Sequence, residues 1–127
     1  MESNLKEGIK GYYEQIVGEK DLATKYGSGA VEVFATPAMI AFVEKAAMKS
    51  VLPFLPKGFN TVGIEINMKH LLATPLGKKV WAETLLTKVE GKKLFFEVNS
   101  SSDKGQIGSG THTRYITETA LFMQKVT

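Results

Sequence analysis

The sequence predicts an α+β protein in which one long central apolar helix is wrapped by a mainly antiparallel, five-stranded β-sheet. The first observation is a segment that follows Thr36-Pro37 and is apolar on nearly every side of a helix: Ala38, Met39, Ile40, Ala41, Phe42, Val43, Ala46, Ala47, Met48 and Val51. A helix of this kind is normally buried. The second observation is a series of alternating or β-rich segments downstream, separated by short turns, which can form the sheet that covers the helix.

Composition and length place the chain among ordinary globular proteins. The 127 residues are 43% hydrophobic and 23% charged, which predicts one domain over 1–127 and argues against disorder and coiled coils. The absence of cysteine excludes disulfides, thiolate zinc sites and a cysteine nucleophile.

Charge and hydropathy exclude several classes of partner. Lys and Arg total 16 against 13 Asp and Glu, a net charge of +3, and the Lys78-Lys79 and Lys92-Lys93 pairs lie near turn glycines without interleaved aromatic residues. We therefore expect no nucleic-acid partner. The longest apolar run, Ala38 to Val43, is far shorter than the roughly 18 residues of a membrane span, and the first twenty residues resemble no secretory signal. No membrane partner and a cytoplasmic location are expected.

The elements follow from local signals along the chain. A first strand is predicted over Tyr12 to Val17, with at most a short helix between Gly18 and Gly29. Thr36 suits the N-cap of the long helix and Pro37 its first position, while Pro53 and Pro56 end it. The remaining strands are predicted over Thr61 to His70, Lys79 to Val89, Leu94 to Ser101 and Gln106 to Phe122. Short turns at 90–92 and 103–105 predict an antiparallel meander of the last three.

Glu44 is the most informative polar residue of the helix. Its neighbours three and four positions away are Ile40, Ala41, Ala47 and Met48, all apolar. A carboxylate on an apolar face is costly without a partner, which indicates a strong hydrogen bond or a chemical role. The alternative is a glutamate at the helix margin that reaches solvent.

Two further residues are candidates for acid–base or oxyanion chemistry. His70 ends a strand beside a loop and titrates near neutrality, although a lone histidine is more often structural. Thr36 is explained by capping, yet the helix start also presents free N–H groups that stabilise an oxyanion.

The Gly108-Ser109-Gly110 segment lacks the strand-to-helix context of a phosphate loop. Its glycines instead permit close approach of another backbone or of the helix, and His112 and Arg114 lie on the same strand face as these glycines. No metal-ligand spacing or dinucleotide motif is present, so neither metal nor cofactor is expected.

Together these residues resemble the fluoroacetyl-CoA thioesterase-like branch of the hotdog superfamily, from about Tyr12 to Phe122. The motifs are Val33-Phe34-Ala35-Thr36-Pro37, Glu44, Gly63, His70 with Ala73-Thr74-Pro75, and Gly108 to Arg114. The resemblance implies a hotdog fold and a homodimer, or a dimer of dimers, that hydrolyses small acyl-CoA thioesters. It further implies Thr36, Glu44 and His70 as catalytic residues, Gly63 and Arg114 as substrate-binding residues, and coenzyme A as part of the substrate rather than a cofactor.

One segment departs from the family pattern. Fluoroacyl-specific members carry bulky aromatic lid residues ahead of the threonine, whereas this chain reads Gly27-Ser28-Gly29-Ala30-Val31. The prediction is therefore a short acyl thioester in general rather than fluoroacetyl-CoA.

Several alternatives remain at this level. A non-catalytic protein that binds acyl-CoA or a small carboxylate is possible on the same fold, although retention of Thr36, Glu44 and His70 favours the enzyme. A hydratase is disfavoured because the usual Asp/His pairing is not apparent. Glu44 is either general base or nucleophile, and Arg114 either meets coenzyme A phosphates or pairs with Glu97 or Glu118.

Helix geometry predicts how the catalytic residues assemble. Thr36 and Glu44 are eight residues apart, about 12 Å along a helix axis at 1.5 Å per residue. They cannot touch within one straight helix. A two-fold dimer with antiparallel helices would place Thr36 of one subunit opposite Glu44 of the other. Otherwise the two residues bracket a long substrate, or Thr36 is only a cap.

Overall fold

The computed structural model describes residues 5–127. Its elements, in chain order, are β1 (Lys10–Ile16), α1 (Ala23–Tyr26), α2 (Thr36–Val51), β2 (Phe59–His70), β3 (Lys79–Glu90), β4 (Lys93–Ser102), β5 (Gly105–Glu118) and α3 (Thr119–Val126). Single 3₁₀ turns at Glu19–Asp21 and Leu52–Phe54 flank α1 and α2. The long central helix and the five strands agree with the predicted fold class.

All five strands form one antiparallel sheet in the order β1-β3-β4-β5-β2. The predicted meander of β3, β4 and β5 is confirmed, and its two turns place Gly91 and Gly105 at φ 61° and 117°, a region that favours glycine. β2 lies at one edge of the sheet and β1 at the other. The connection between β2 and β3 therefore passes over β5 and β4, the two strands that lie between them.

Helix α2 packs across one face of the sheet. The buried positions of β3 and β4 alternate along each strand, as a half-buried strand requires. A Cβ on Gly108 would lie only 2.7 Å from Sδ of Met39 in α2, and one on Gly110 only 2.7 Å from Cα of Met68 in β2. The predicted close approach at these glycines is confirmed: the helix comes close at Gly108 and a neighbouring backbone at Gly110.

The helix is buried on its sheet side only. Met39, Val43, Ala47 and Val51 are fully buried, whereas the opposite face is open: Pro37, Ala41, Lys45 and Lys49 are exposed. One layer of strands covers only part of a cylinder, so the sheet covers one side of the helix and leaves the other side exposed. An uncovered helix face therefore remains beside β1 and β2.

The last strand is shorter than the sequence predicts. β5 stops at Glu118 instead of continuing to Phe122, and residues Thr119–Val126 form α3. Glu118 pairs with Phe59, the first residue of β2, so no strand is available beyond it. The following Ala, Leu, Met, Gln and Lys residues are good helix formers. Within residues 5–127, no helix is both long and apolar enough to cross a membrane.

Candidate active site

Thr36 and His70 meet within one chain. Oγ1 of Thr36 lies 2.8 Å from Nδ1 of His70. The prediction that Thr36 caps α2 is wrong, since Ala35 occupies the N-cap and no side chain bonds the free N–H groups there. The threonine hydroxyl is instead committed to the histidine at the end of β2.

Two loop contacts bring these residues together. The segment before α2 pairs with the loop after β2 through an isolated bridge between Val33 and Pro75. Next to it, the N–H of Phe34 donates to the carbonyl of Thr74 at 2.8 Å. The loop after His70 is thereby tied to Val33 and Phe34, shortly before the helix begins.

His70 is half-buried and favours its neutral form. Burial is the main cause that lowers its pKa below 6.5, and the Leu72 backbone acts in the opposite direction. Nε2 is buried and has no hydrogen-bond partner among residues 5–127. In either tautomer one ring nitrogen contacts Thr36 and the other remains without a protein partner, so the ring is suited to bind water or carry a proton.

Glu44 and Gly63 meet at a different place, in a pocket of about 400 Å³ on the open side of α2. A Cβ on Gly63 would lie 3.1 Å from Oε2 of Glu44 and 3.4 Å from Nη1 of Arg114. The missing side chain therefore opens the space in which a carboxylate and a guanidinium approach one another. Glu44 has no hydrogen bond or ion pair to any other described residue, so its carboxylate is free to act on a ligand.

Arg114 is buried and held by hydrogen bonds. It is 6% exposed. Its Nε donates to Oγ1 of Thr61 at 2.7 Å, and its Nη2 donates to the Thr61 carbonyl at 2.8 Å. Burial is the main cause that lowers the pKa of Arg114, and the negative charge of Glu44 acts in the opposite direction. Within residues 5–127 it forms no ion pair with Glu97 or Glu118, so the pairing alternative is wrong.

His112 completes this group, although it is not among the site residues predicted from the sequence. Its Nδ1 donates to the Glu65 carbonyl at 2.7 Å, which leaves Nε2 to accept from Nη1 of Arg114 at 3.1 Å. Burial is the main cause that lowers its pKa, and the neighbouring Arg114 lowers it further. The sequence feature that could have identified His112 is its position two residues before Arg114, which places both side chains on the same face of β5.

The two groups lie far apart in one chain. Thr36 and Glu44 are separated by about 12 Å along α2. His70 and Gly63 are seven residues apart on β2, which is about 23 Å at 3.3 Å per residue. The structure thus joins Thr36 with His70, and Glu44 with Gly63 and Arg114, but does not bring all five together. No set of three His, Asp or Glu side chains among residues 5–127 forms a metal centre.

Comparison with known families identifies the family of this chain. The model of the family described as fluoroacetyl-CoA-specific thioesterase matches residues 17–120. The chain belongs to that family. A curated relative, the fluoroacetyl-CoA thioesterase of Streptantibioticus cattleyicolor, is 37% identical over 95 residues, which cover 75% of this chain and 68% of the relative.

Solved structures give the same result for the fold of this family member. A crystal structure of a variant of the fluoroacetyl-CoA-specific thioesterase FlK superposes with a TM-score of 0.91 at 30% identity, covering 98% of this chain and 97% of the other. A hot-dog-like protein from Thermanaerovibrio acidaminovorans has a TM-score of 0.87 at 22% identity, covering 96% and 90%. The predicted hotdog fold is confirmed.

Proposed function

We propose that this protein hydrolyses coenzyme A thioesters of short acyl groups. Its family membership supports this reaction, and a variant of FlK has been solved in complex with fluoroacetate and CoA. The observation that carries the proposal is a carboxylate without a protein partner, Glu44, facing a pocket, together with a separate Thr36–His70 pair. These are the groups that thioester hydrolysis needs: a base or nucleophile, an oxyanion donor and a proton carrier.

A two-fold dimer would unite the two groups. Ile40 is midway between Thr36 and Glu44 on α2, and the midpoint between Gly63 and His70 on β2 falls at residues 66–67. A two-fold axis close to both midpoints would exchange the two ends of each element. The partner's Glu44 and Gly63 would then face Thr36 and His70, giving two composite sites per dimer.

The surface of the chain supports such an arrangement. β2 is an edge strand whose outer side pairs with no strand among residues 5–127, and Ile64 on it is 51% exposed. An unpaired edge with an exposed apolar residue is a favourable surface for association. The Glu44 side of α2 lies beside this edge, because Glu44 and Gly63 line one pocket. Helix and strand would therefore meet their counterparts together. A dimer of dimers is compatible with the same interface.

Each residue then has a defined task. The carboxylate of Glu44 either removes a proton from the attacking water or attacks the thioester carbonyl itself, forming an anhydride that water hydrolyses. In both routes the hydroxyl of Thr36 and the first N–H groups of α2 stabilise the oxyanion. His70 orients the water and passes a proton to the departing thiolate. Gly63 leaves room for the acyl group, and Arg114 lies beside it.

The acyl group is proposed to be short but not restricted to fluoroacetyl. Residues 27–31, where fluoroacyl-specific members carry aromatic lid residues, are exposed in this protein. The segment Gly27–Val31 contains no aromatic side chain. An open approach of this kind admits several small acyl groups.

Purified protein assayed against acetyl-, propionyl-, butyryl-, benzoyl- and phenylacetyl-CoA tests the proposal. We expect cleavage of at least one thioester, nearly abolished by Glu44→Gln and unaffected by Glu97→Gln, which changes an exposed glutamate on the opposite face of the sheet. Absence of cleavage above background with every thioester would overturn it. Tight CoA binding without turnover would support the non-catalytic alternative.

A further inference from the structure

Two lysines lie over the ring of one tyrosine at the open face of α2, and a third lysine is close enough to influence it. Nζ of Lys45 lies 4.7 Å from the ring centroid of Tyr13, and Nζ of Lys49 lies 5.8 Å from it. Lys45 is the main cause that lowers the pKa of Tyr13, and Lys49 and Lys20 act in the same direction. Lys20, Lys45 and Lys49 are referred to below as the lysine cluster.

The positive charge of the lysine cluster is not neutralised by ion pairs. Within residues 5–127 the two ion pairs are Lys79 with Glu14 and Lys88 with Glu90, both elsewhere. The nearby carboxylate of Asp21 is buried and accepts the N–H of Gly18 at 2.8 Å. Lys45 and Lys49 are one turn apart on α2, where like charges repel. The arrangement attracts an anion.

The lysine cluster opens onto the same groove as Glu44. A cavity of about 130 Å³ is lined by Lys20, Tyr26, Ala41 and Lys45, among others. Ala41 and Lys45 also line the pocket of Glu44 and Gly63. The two cavities therefore adjoin along the exposed face of α2 at Ala41 and Lys45, with Glu44 in one and Lys20 in the other.

We propose that the lysine cluster binds the phosphate groups of coenzyme A. The assignment rests on the proposed function, since a CoA thioester carries its reactive carbonyl at one end and its phosphates at the other. Lysines are flexible point charges suited to phosphates. Arg114 is a poorer candidate for this task, because it is buried and bonded to Thr61 and His112.

The kinetic test compares two substrates that share an acyl group. The double variant Lys45→Gln/Lys49→Gln is assayed with the acyl-CoA and with the N-acetylcysteamine thioester, which lacks the nucleotide. We expect KM for the acyl-CoA to rise about tenfold or more, with little change in kcat and no change for the short thioester. Two control variants accompany this test. Lys92→Gln/Lys93→Gln removes the same amount of charge at the β3–β4 turn and should leave KM unchanged. Lys45→Arg/Lys49→Arg keeps the charge and should retain the low KM. Equal KM values for Lys45→Gln/Lys49→Gln and the wild type, or an equal rise in Lys92→Gln/Lys93→Gln, would overturn the proposal.

Calorimetry separates this proposal from the proposed function. Wild-type protein is titrated with CoA, 3′,5′-ADP, pantetheine and inorganic phosphate. We expect CoA and 3′,5′-ADP to bind the wild type, and this binding to be lost in Lys45→Gln/Lys49→Gln. Lysine-dependent CoA binding without hydrolysis would refute the reaction and retain the subsite. Inorganic phosphate binding as tightly as 3′,5′-ADP would indicate a general anion site and overturn the assignment to coenzyme A, as would the absence of CoA binding.

Discussion

The hydroxyl of Thr36 bonds a side chain at the distant end of β2 rather than the helix that it begins. This distinction separates a chemical role from a structural one. A cap contributes about 1 kcal/mol to stability when its side chain bonds the helix N–H groups. Thr36 makes no such bond, so its removal should affect chemistry more than folding.

Replacement of Thr36 by valine tests this point, because valine keeps the shape and loses the hydroxyl. We expect kcat to fall about 100-fold, as for loss of an oxyanion donor, and the free energy of unfolding to change by less than about 1 kcal/mol. Thr36→Ser should recover most of the rate. Steady-state kinetics and denaturant unfolding measure the two effects. A marked loss of stability with unchanged kcat would instead identify a cap.

The two histidines predict a pH dependence of stability. Burial lowers the pKa of both His70 and His112 below the ordinary 6.5, so the unfolded chain binds protons that the folded chain does not. The free energy of unfolding should therefore be highest above pH 6.5 and decline as the pH falls below it, by up to about 1.4 kcal/mol per pH unit for each histidine.

The variant His112→Gln should show a shallower decline, because one of these contributions is removed. Urea unfolding at pH 7.5, 6.5 and 5.5 compares the slopes for wild type and variant. The slope, rather than the absolute stability, is the readout, since any change at a buried position lowers stability. Identical slopes would show that His112 does not titrate differently on folding.

At the scale of elements, the register between β2 and β5 positions both halves of the candidate site. It sets Gly63 opposite Arg114 and His70 opposite Gly108. A bulge between Gly63 and Glu65 shifts this register by one residue. Close pairing of β2 with β5 is therefore needed to hold Gly63 beside Arg114 at one end of β2 and His70 at the other end.

Gly110→Ala should disrupt this pairing. The added Cβ would lie 2.7 Å from Cα of Met68, and backbone atoms cannot move aside as a flexible side chain can. We expect a loss of about 2 to 3 kcal/mol in unfolding free energy together with loss of activity. The neighbouring Ser109→Ala, on the other strand face, should stay within about 0.5 kcal/mol of wild type. Similar stability for the two variants in denaturant unfolding would contradict this account.

At the scale of the whole molecule, the separation of the two half-sites makes activity depend on association. Thr36→Val and Glu44→Gln each damage a different half of a composite site. In a mixed dimer one site receives both lesions and the other receives none. Activity should therefore reappear when the two proteins exchange subunits.

Mixing the two variants in equal amounts should restore up to about a quarter of wild-type activity when half of the dimers are mixed. Exchange is verified separately, for example with tagged subunits. Mixing Thr36→Val with His70→Asn is the matched control, because both lesions fall in the same half-site and the mixed dimer holds no intact site. If confirmed exchange leaves activity at the level of the separate variants, Thr36 and Glu44 do not act across an interface.

The sequence alone determined the elements and their order. The apolar periodicity after Thr36-Pro37 and the alternation along the later segments are local properties, so they predicted α2 and the five strands with small errors at the ends. The motifs at Thr36, Glu44, Gly63, His70 and Arg114 likewise pointed to a family that the comparison confirms. The strand end at Glu118 was missed because it depends on where β2 begins, which no local pattern records.

Only the tertiary structure decided which of these residues meet. Thr36 and His70 are 34 positions apart, and their contact depends on the loop bridge at Val33 and Pro75. His112 became a partner of Arg114 because the bulged register of β2 brings the Glu65 carbonyl to its ring. Such contacts arise from long-range packing, whereas residue periodicity reports only which face of its own element a side chain occupies.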